Sequence, residues 1–175
     1  MDEKKLWEKC VEFHGHECGG LLIGFQAALY ARQLLEIDFS QDEDLVCITE
    51  NDACGVDAIQ VLLGCSVGKG NLLFKLRGKQ AFNIFDRKNK KAVRLVLKEV
   101  DDLSREEKMR FLKESRPEEL FMVKEPSCQI PEKAKIFGNI YCESCGEKTA
   151  ENMIRIQGGK KVCLDCFQGY SRFLE

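Results

Sequence analysis

Two pairs of cysteines near the C-terminus constrain this chain more than any other feature. In YCESCGEKTAENMIRIQGGKKVCLDC, Cys142 and Cys145 are separated by two residues, 17 residues intervene, and Cys163 and Cys166 repeat the gap. Two tight knuckles of this kind present four thiolates to one tetrahedral Zn²⁺, with Gly146 relieving the turn after the first pair. The segment 136–175 is too short to bury a core of its own, so a structural zinc is expected to contribute folding free energy there directly. Between the knuckles, IRIQ and KKV flank Gly158 and Gly159 and predict a hairpin, and FQGYSRFLE predicts a short helix after the second knuckle. Four thiolates complete the coordination sphere, which argues against catalysis at this metal. The same segment carries five basic and five acidic residues. A nucleic-acid module normally has a positive footprint, so contact with a protein partner is the expected role.

The other 135 residues must supply the core. With 44% hydrophobic residues, the chain can bury one real core beside a small satellite. Its formal charge of −2 conceals a local asymmetry: residues 36–57 hold eight acidic and no basic residues, whereas 69–98 hold ten basic residues and one acid, Asp86. Such blocks are solvated faces of opposite sign, or else an anion-binding or docking surface. The N-terminal MDEKKLWEKC is charged and lacks the apolar stretch of a signal peptide. Arg32 and Glu36 interrupt the best apolar run before it reaches the ~18 to 20 residues of a membrane span. A cytoplasmic protein without a membrane partner is expected. In a reducing compartment its ten cysteines read as metal ligands, reactive thiols or small buried apolar residues rather than disulfides.

Along the chain, Leu6, Cys10 and Phe13 predict an amphipathic helix ending at Gly15, followed by a second helix over about 21–36 that is apolar around most of its circumference. DLVCITE predicts a strand over 44–50, and Asn51 or Asp52 is expected to cap a helix over 53–65. Three partly alternating segments follow, NLLFKLR, QAFNIFD and AVRLVLK, the last two forming a hairpin through RKNKK. In the first, Phe74 and Leu76 oppose Lys75 and Arg77. Ser104 and Glu107 form a capping box for a helix to about Glu114, and Pro117 opens a further helical turn. The order predicts an α+β core of helices packed on an antiparallel sheet, over 1–125. Pro126 and Pro131 bracket a linker over 126–135, and the Cys₄ zinc finger spans 136–175.

Chemistry concentrates in two places outside the finger. VEFHGHECGG holds both histidines of the chain, and the i, i+2 parity of His14, His16 and Cys18 in an extended turn brings three N and S ligands together; on a helix the histidines would diverge by about 200°. TENDACGVDAIQVLLGCSVGKGN places Cys54 at a helix start, where the dipole favours thiolate, and Asp57 one turn on. Cys54 is expected to complete a composite site with the first segment, with His14, His16, Cys18 and Cys54 as ligands of a second transition metal. Cys65 lies about 16 Å farther along the expected helix, too far to share that metal, and it and Cys47 read as small buried apolar residues. GCSVGKGN is one residue short of a nucleotide-binding loop and has Gly70 where the Mg²⁺-binding hydroxyl belongs, which argues against nucleotide hydrolysis. Lys69 remains a candidate contact for an anionic ligand.

Taken together, FHGHECGGLLIGFQAALYA, ENDACGVDAIQVLLGCSVGKGNL and GKQAFNIF resemble the FmdE family of formylmethanofuran dehydrogenase-associated proteins over roughly residues 8–98. The finger resembles the DnaK-suppressor type of treble clef. The resemblance implies an intertwined homodimer and a pocket built from His14, His16 and Cys18 with Cys54 and Asp57, while Gly64, Cys65, Gly68, Lys69 and Gly70 match a third motif. The family commonly has proline after the motif cysteine; Gly19 stands there in this chain and loosens the turn. Three functions follow as expectations. The first is a zinc-containing accessory or regulatory protein whose core pocket, with Cys18 and Lys69 as ligand contacts, takes a metal or small ligand. The second is an enzyme of one-carbon or thiol chemistry with Cys54 as nucleophile or open-site ligand, His16 as base or ligand and Asp57 as orienting group. The third, less favoured, is nucleic-acid binding through the basic strands.

Overall fold

In a computed structural model, residues 2–99, 103–126, 128–130, 132–170 and 172 are described. They form two compact units, Met1–Ala134 and Lys135–Glu175. In the first unit the helices α1 (Glu3–His14), α2 (Gly19–Leu35) and α3 (Gly55–Leu63) accompany a five-stranded sheet built from β1 (Leu45–Thr49), β2 (Leu72–Phe74), β3 (Ala81–Asp86), β4 (Lys91–Leu97) and β5 (Phe121–Lys124). Helices α4 (Arg105–Glu114) and α5 (Pro117–Leu120) lie between β4 and β5 in sequence. The strand order is β2-β1-β3-β4-β5, antiparallel except for the β1–β2 pair, whose parallel register is reached through α3. The α+β class read from the order of elements is the architecture observed.

Each local expectation traces to a cap or a turn. Asp2 caps α1 by accepting from the Lys4 amide, and Gly15 ends it in the left-handed conformation at φ 93°. Ser104 and Glu107 make the reciprocal capping box of α4. The interior of α2 is apolar on nearly all sides because α3, α4 and the sheet surround it, and Leu21, Ala27, Ala28 and Ala31 are fully buried. Strands β1 and β3 are buried along their whole length: Cys47, Phe82 and Ile84 face the helices, while Val46, Ile48 and Phe85 form a smaller cluster on the far face.

Three expectations are corrected, and one strand was not foreseen. Helix α3 starts at Gly55, not Ala53, because the Asn51 side chain closes a turn onto the Ala53 amide at 3.1 Å, and Cys54 occupies the cap position. It also ends at Gly64, so Cys65 lies beyond the helix. Phe74 and Leu76 do not point into the core; they are 46% and 51% exposed, since β2 is a three-residue edge strand. Strand β5 pairs with β4 from Leu97↔Phe121 to Arg94↔Lys124, where FMVK lacks a full period and shows no alternation to read.

The second unit consists of two hairpins. β6 (Asn139–Tyr141) pairs with β7 (Lys148–Ala150) around the first knuckle, a pairing that sequence reasoning missed. A 3₁₀ turn over Glu151–Met153 leads to β8 (Arg155–Gln157) and β9 (Lys160–Val162), joined through Gly158 and Gly159 as expected. Residues 167–170 are not helical, and most of the remaining segment of that expected helix, like Pro131 of the expected linker, lies outside the described residues.

Candidate functional site

In the finger, the four sulfurs of Cys142, Cys145, Cys163 and Cys166 lie within 4.8 Å of one another. Tetrahedral zinc with Zn–S bonds of about 2.3 Å needs sulfurs roughly 3.8 Å apart, and Cys145 and Cys163 are 3.9 Å apart. The donor chemistry agrees. Backbone N–H groups of Cys145 and Cys163 pull the Cys142 thiol down to about 6. Cys145 receives the Glu147 amide, yet its neighbour Cys142, burial, and then Cys166 and Cys163 push it up to about 12. Four thiolates this close repel one another unless a dication sits among them, so the residues fit the zinc that the motif implies. This cluster is a structural site with no open position for a substrate.

In the first unit, His14, His16 and Cys18 place three ligand atoms within 4.8 Å. The convergence does not come from an extended strand, as the residue parity suggested. His14 is the last residue of α1, Gly15 reverses the chain in the left-handed conformation, and Cys18 is the N-cap of α2 with its Sγ accepting from the Leu21 amide at 3.3 Å. The two imidazole centroids are 4.6 Å apart. His14 Nε2 stands 3.7 Å from Cys18 Sγ; a tetrahedral metal with ordinary Zn–N and Zn–S bonds needs about 3.6 Å between such atoms.

Asp57 acts on this cluster from α3. Its Oδ2 is 2.7 Å from His14 Nδ1, and its Oδ1 accepts from Gln60 Nε2 at 3.1 Å. With the Asp57 carboxylate as acceptor, His14 donates from Nδ1 and turns Nε2 toward the sulfur. Asp57 therefore orients His14 rather than His16. Gln60 was missed by sequence reasoning; its only trace is the i, i+3 spacing from Asp57 on one helix face.

Cys54, at the start of α3, lies beside Cys18 but is not among the donors that fall within 4.8 Å of one another, so the expected fourth ligand is outside the cluster. A methyl group built on Gly20 would lie 3.5 Å from Cys54 Sγ and 3.9 Å from Cys18 Sγ. The expectation that the helix start favours its thiolate is corrected: burial pushes the Cys54 thiol up, and the adjacent Cys18 adds to the rise. Lys69 is not part of this arrangement. Its ammonium donates to the carbonyls of Ser40, Gln41 and Asp42 at 3.2, 3.0 and 3.4 Å and lies over the Phe39 ring, so it fastens a loop instead of facing a ligand. Cys47 and Cys65 are fully buried.

A cleft of about 430 Å³ opens beside the cluster, lined by His14, Cys54, Asp57, Val67 and Phe74 among others. A larger one, about 710 Å³, lies on the far face of the sheet between Phe85, Arg87, Lys90 and Ile130, and holds no group of metal-ligating atoms among the described residues. Of the two, only the smaller is lined by a member of the His14, His16 and Cys18 donor group, namely His14.

Comparison with known proteins bears on both units. Residues 13–145 match the family described as FmdE, molybdenum formylmethanofuran dehydrogenase operon, and residues 135–172 match the prokaryotic dksA/traR C4-type zinc finger. A probable S-adenosyl-L-methionine-binding protein of Archaeoglobus fulgidus is 31% identical over 199 aligned residues, which cover 95% of this chain and 53% of that protein. The chain thus spans about half the length of this curated relative. The crystal structure of a tungsten formylmethanofuran dehydrogenase FmdE-like protein from Syntrophus aciditrophicus is similar with a TM-score of 0.70 and 24% identity, over 99% of this chain and 96% of that one. That likeness concerns the fold.

Proposed function

The chain belongs to the FmdE family and continues into a C4-type zinc finger, and from that premise we propose that it is a cytoplasmic accessory or regulatory protein with two metal-linked functions. The core, 1–125, binds a transition metal or small ligand at its His/Cys site; the finger, 136–175, holds structural zinc and contacts a protein partner; 126–135 connect them. The observation that carries this reading is the cluster of His14, His16 and Cys18 donors within 4.8 Å, with the second nitrogen of His14 anchored on Asp57. Three protein ligands leave a fourth position for water or a ligand, the arrangement of a working site and not of a structural one.

Several features support the accompanying readings. Val67, Phe74 and Leu76 form exposed apolar surface at and near the cleft, which a second copy would cover in an intertwined homodimer. The basic run favours nucleic acid less than its composition suggests: Arg94 is buried against Glu50, Lys91 pairs with Glu36 at 2.5 Å, Lys98 donates to the Glu118 carbonyl, and Lys69 is held by its loop. Among the described residues no helix is long and apolar enough to cross a membrane.

The test is metal content per chain, by mass spectrometry on protein prepared in metal-free buffer and then loaded with zinc, for the wild type and a His16→Ala, Cys18→Ser double variant. The expected result is a metal equivalent beyond that of the finger, absent from the double variant. A single equivalent in both proteins would leave the core without a metal. The relative's name makes S-adenosylmethionine the first organic ligand to titrate against the same two proteins.

A further inference from the structure

We propose that the larger cavity, on the far face of the sheet, binds an organic carboxylate with an apolar body, held at its charged end by Arg87 and Lys90. The inference goes beyond the metal reading: the cavity lies within the first unit and shares no residue with the His14, His16 and Cys18 group.

At about 710 Å³ the cavity falls inside the range of roughly 300–1,000 Å³ in which small-molecule sites occur. Much of its wall is apolar. Phe85 comes from β3, and Pro126 and Ile130 come from the segment after β5. Ile130 is exposed although it borders a concavity, and apolar surface in such a place is what the body of a ligand covers. The cavity holds no group of metal-ligating atoms among the described residues, so an organic ligand is the occupant that fits it.

Charge selects the ligand. The lining carries three cations, Arg87, Lys90 and Lys91, against one acid, Asp86. Two of these four groups are already engaged. Asp86 is buried and accepts from the Lys88 and Asn89 amides and from the Asn89 side chain, closing the turn between β3 and β4. Lys91 is paired with Glu36. Arg94, on the same strand as Lys91, is likewise neutralised by Glu50. Arg87 and Lys90 have no acidic partner among the described residues. The Arg87 guanidinium donates through Nη2 to the Glu132 carbonyl at 3.1 Å, while its Nε is buried and has no acceptor among the described residues, a costly state for a charged donor. An anionic head beside this guanidinium supplies the counter-charge. Both cations belong to the turn that joins β3 and β4, so charge collects at one end of the hairpin and leaves the apolar wall for the body of the ligand. Two cations suit the single charge of a carboxylate, whereas a phosphate dianion calls for more donors than they supply. Such a site accounts for part of the basic run over 69–98, for which composition allowed a solvated face or an anion-binding surface.

The experiment titrates decanoate and, separately, naphthalene-2-carboxylate into the full chain by calorimetry, with decyltrimethylammonium as the cation of matched chain length. At least one carboxylate is expected to bind at least about tenfold more tightly than the cation, which like-charge repulsion excludes; the tighter of the two tells whether the body is a chain or a ring system. Arg87→Met, which keeps an apolar stem, should weaken that binding about tenfold, the size expected for loss of a hydrogen bond to a charged group. Lys90→Gly separates charge from folding. Lys90 sits in the left-handed conformation at φ 55°, which glycine adopts more readily, so this variant is expected to keep or raise the thermal midpoint. It should nevertheless weaken carboxylate binding about threefold, as loss of one exposed charge does. Cys128 reports the location, because it lines the cavity and is partly exposed. Saturating carboxylate should slow its alkylation by iodoacetamide and leave that of Cys54, in the other cleft, unchanged. Failure of both carboxylates to bind, equal affinity for the cation, or full affinity in Arg87→Met would each overturn the proposal. So would a Cys128 that is shielded without ligand and becomes reactive on dilution, since a second copy of the chain would then fill the cavity.

Discussion

Glu50 follows the end of β1 with its carboxylate only 2% exposed, gripped in parallel by Arg94 Nε and Nη2 at 2.7 and 2.8 Å, while Asn83 donates to it at 3.0 Å. Moving both charges out of water is costly, so the pair contributes little net stability as a unit, but removing one member strands the other. Arg94→Ala is expected to destabilise the core by about 3–5 kcal/mol, read as a lower urea midpoint with an unchanged slope; a loss within about 0.5 kcal/mol, the size of an ordinary surface change, would show that Glu50 finds another partner. In the sequence Arg94 reads as one more outward charge of an alternating strand, because Cys128, which packs on that face, lies in a stretch with no periodicity to announce it. At the candidate site, by contrast, residue identity was legible: two histidines and a cysteine within five positions, and a cysteine and an aspartate one helical turn apart. Which histidine Asp57 would orient, and that Lys69 would be occupied by three carbonyls, depend on where α3 and the 40–42 loop come to rest, and no local spacing encodes either.

At the scale of elements, the site depends on one contact. A Cβ on Gly24 would fall 1.9 Å from the carbonyl oxygen of Gly55, so α2 and α3 approach more closely than any side chain permits. The obstructing atom is backbone and cannot rotate away. Gly24→Ala is therefore expected to cost about 3 kcal/mol or to separate the helices, since overpacking against a fixed neighbour displaces whole elements. It should also weaken zinc uptake by the core by shifting Asp57 away from His14; a wild-type melting temperature together with wild-type zinc uptake would refute this contact as the organiser of the site. Capping boxes, the Gly15 stop and the apolar run of α2 made the helices readable. The true start of α3 was not, because Asn51 uses its side chain in the preceding turn, where a cap and a turn have the same sequence signature.

Across the whole molecule, the two units rest on different stabilising forces. Residues 1–134 bury an extended apolar core, whereas the finger's buried apolar cluster consists of Cys142, Val162 and Cys163. In a module of this size bound zinc supplies on the order of 10–16 kcal/mol. Chelation at neutral pH is thus expected to abolish the finger's β-hairpin signals in NMR spectra while the core keeps its thermal transition; loss of both together would mean that the core depends on the finger's metal. The finger's chemistry was wholly legible, because ligand spacing within a knuckle is a local property and a tetrahedral ion tolerates few alternatives. The sequence by itself determined the α+β class, most element boundaries, the four clustered cysteines of the finger and the residue types of the core cluster, all of which follow from local periodicity, caps and spacing. Only the tertiary structure decided that Cys18, His14 and Asp57 stand in line with Cys54 beside them. That geometry arises where two helix starts meet across glycine backbones, a contact between segments some thirty residues apart, and long-range packing of this kind leaves no periodic trace in the chain.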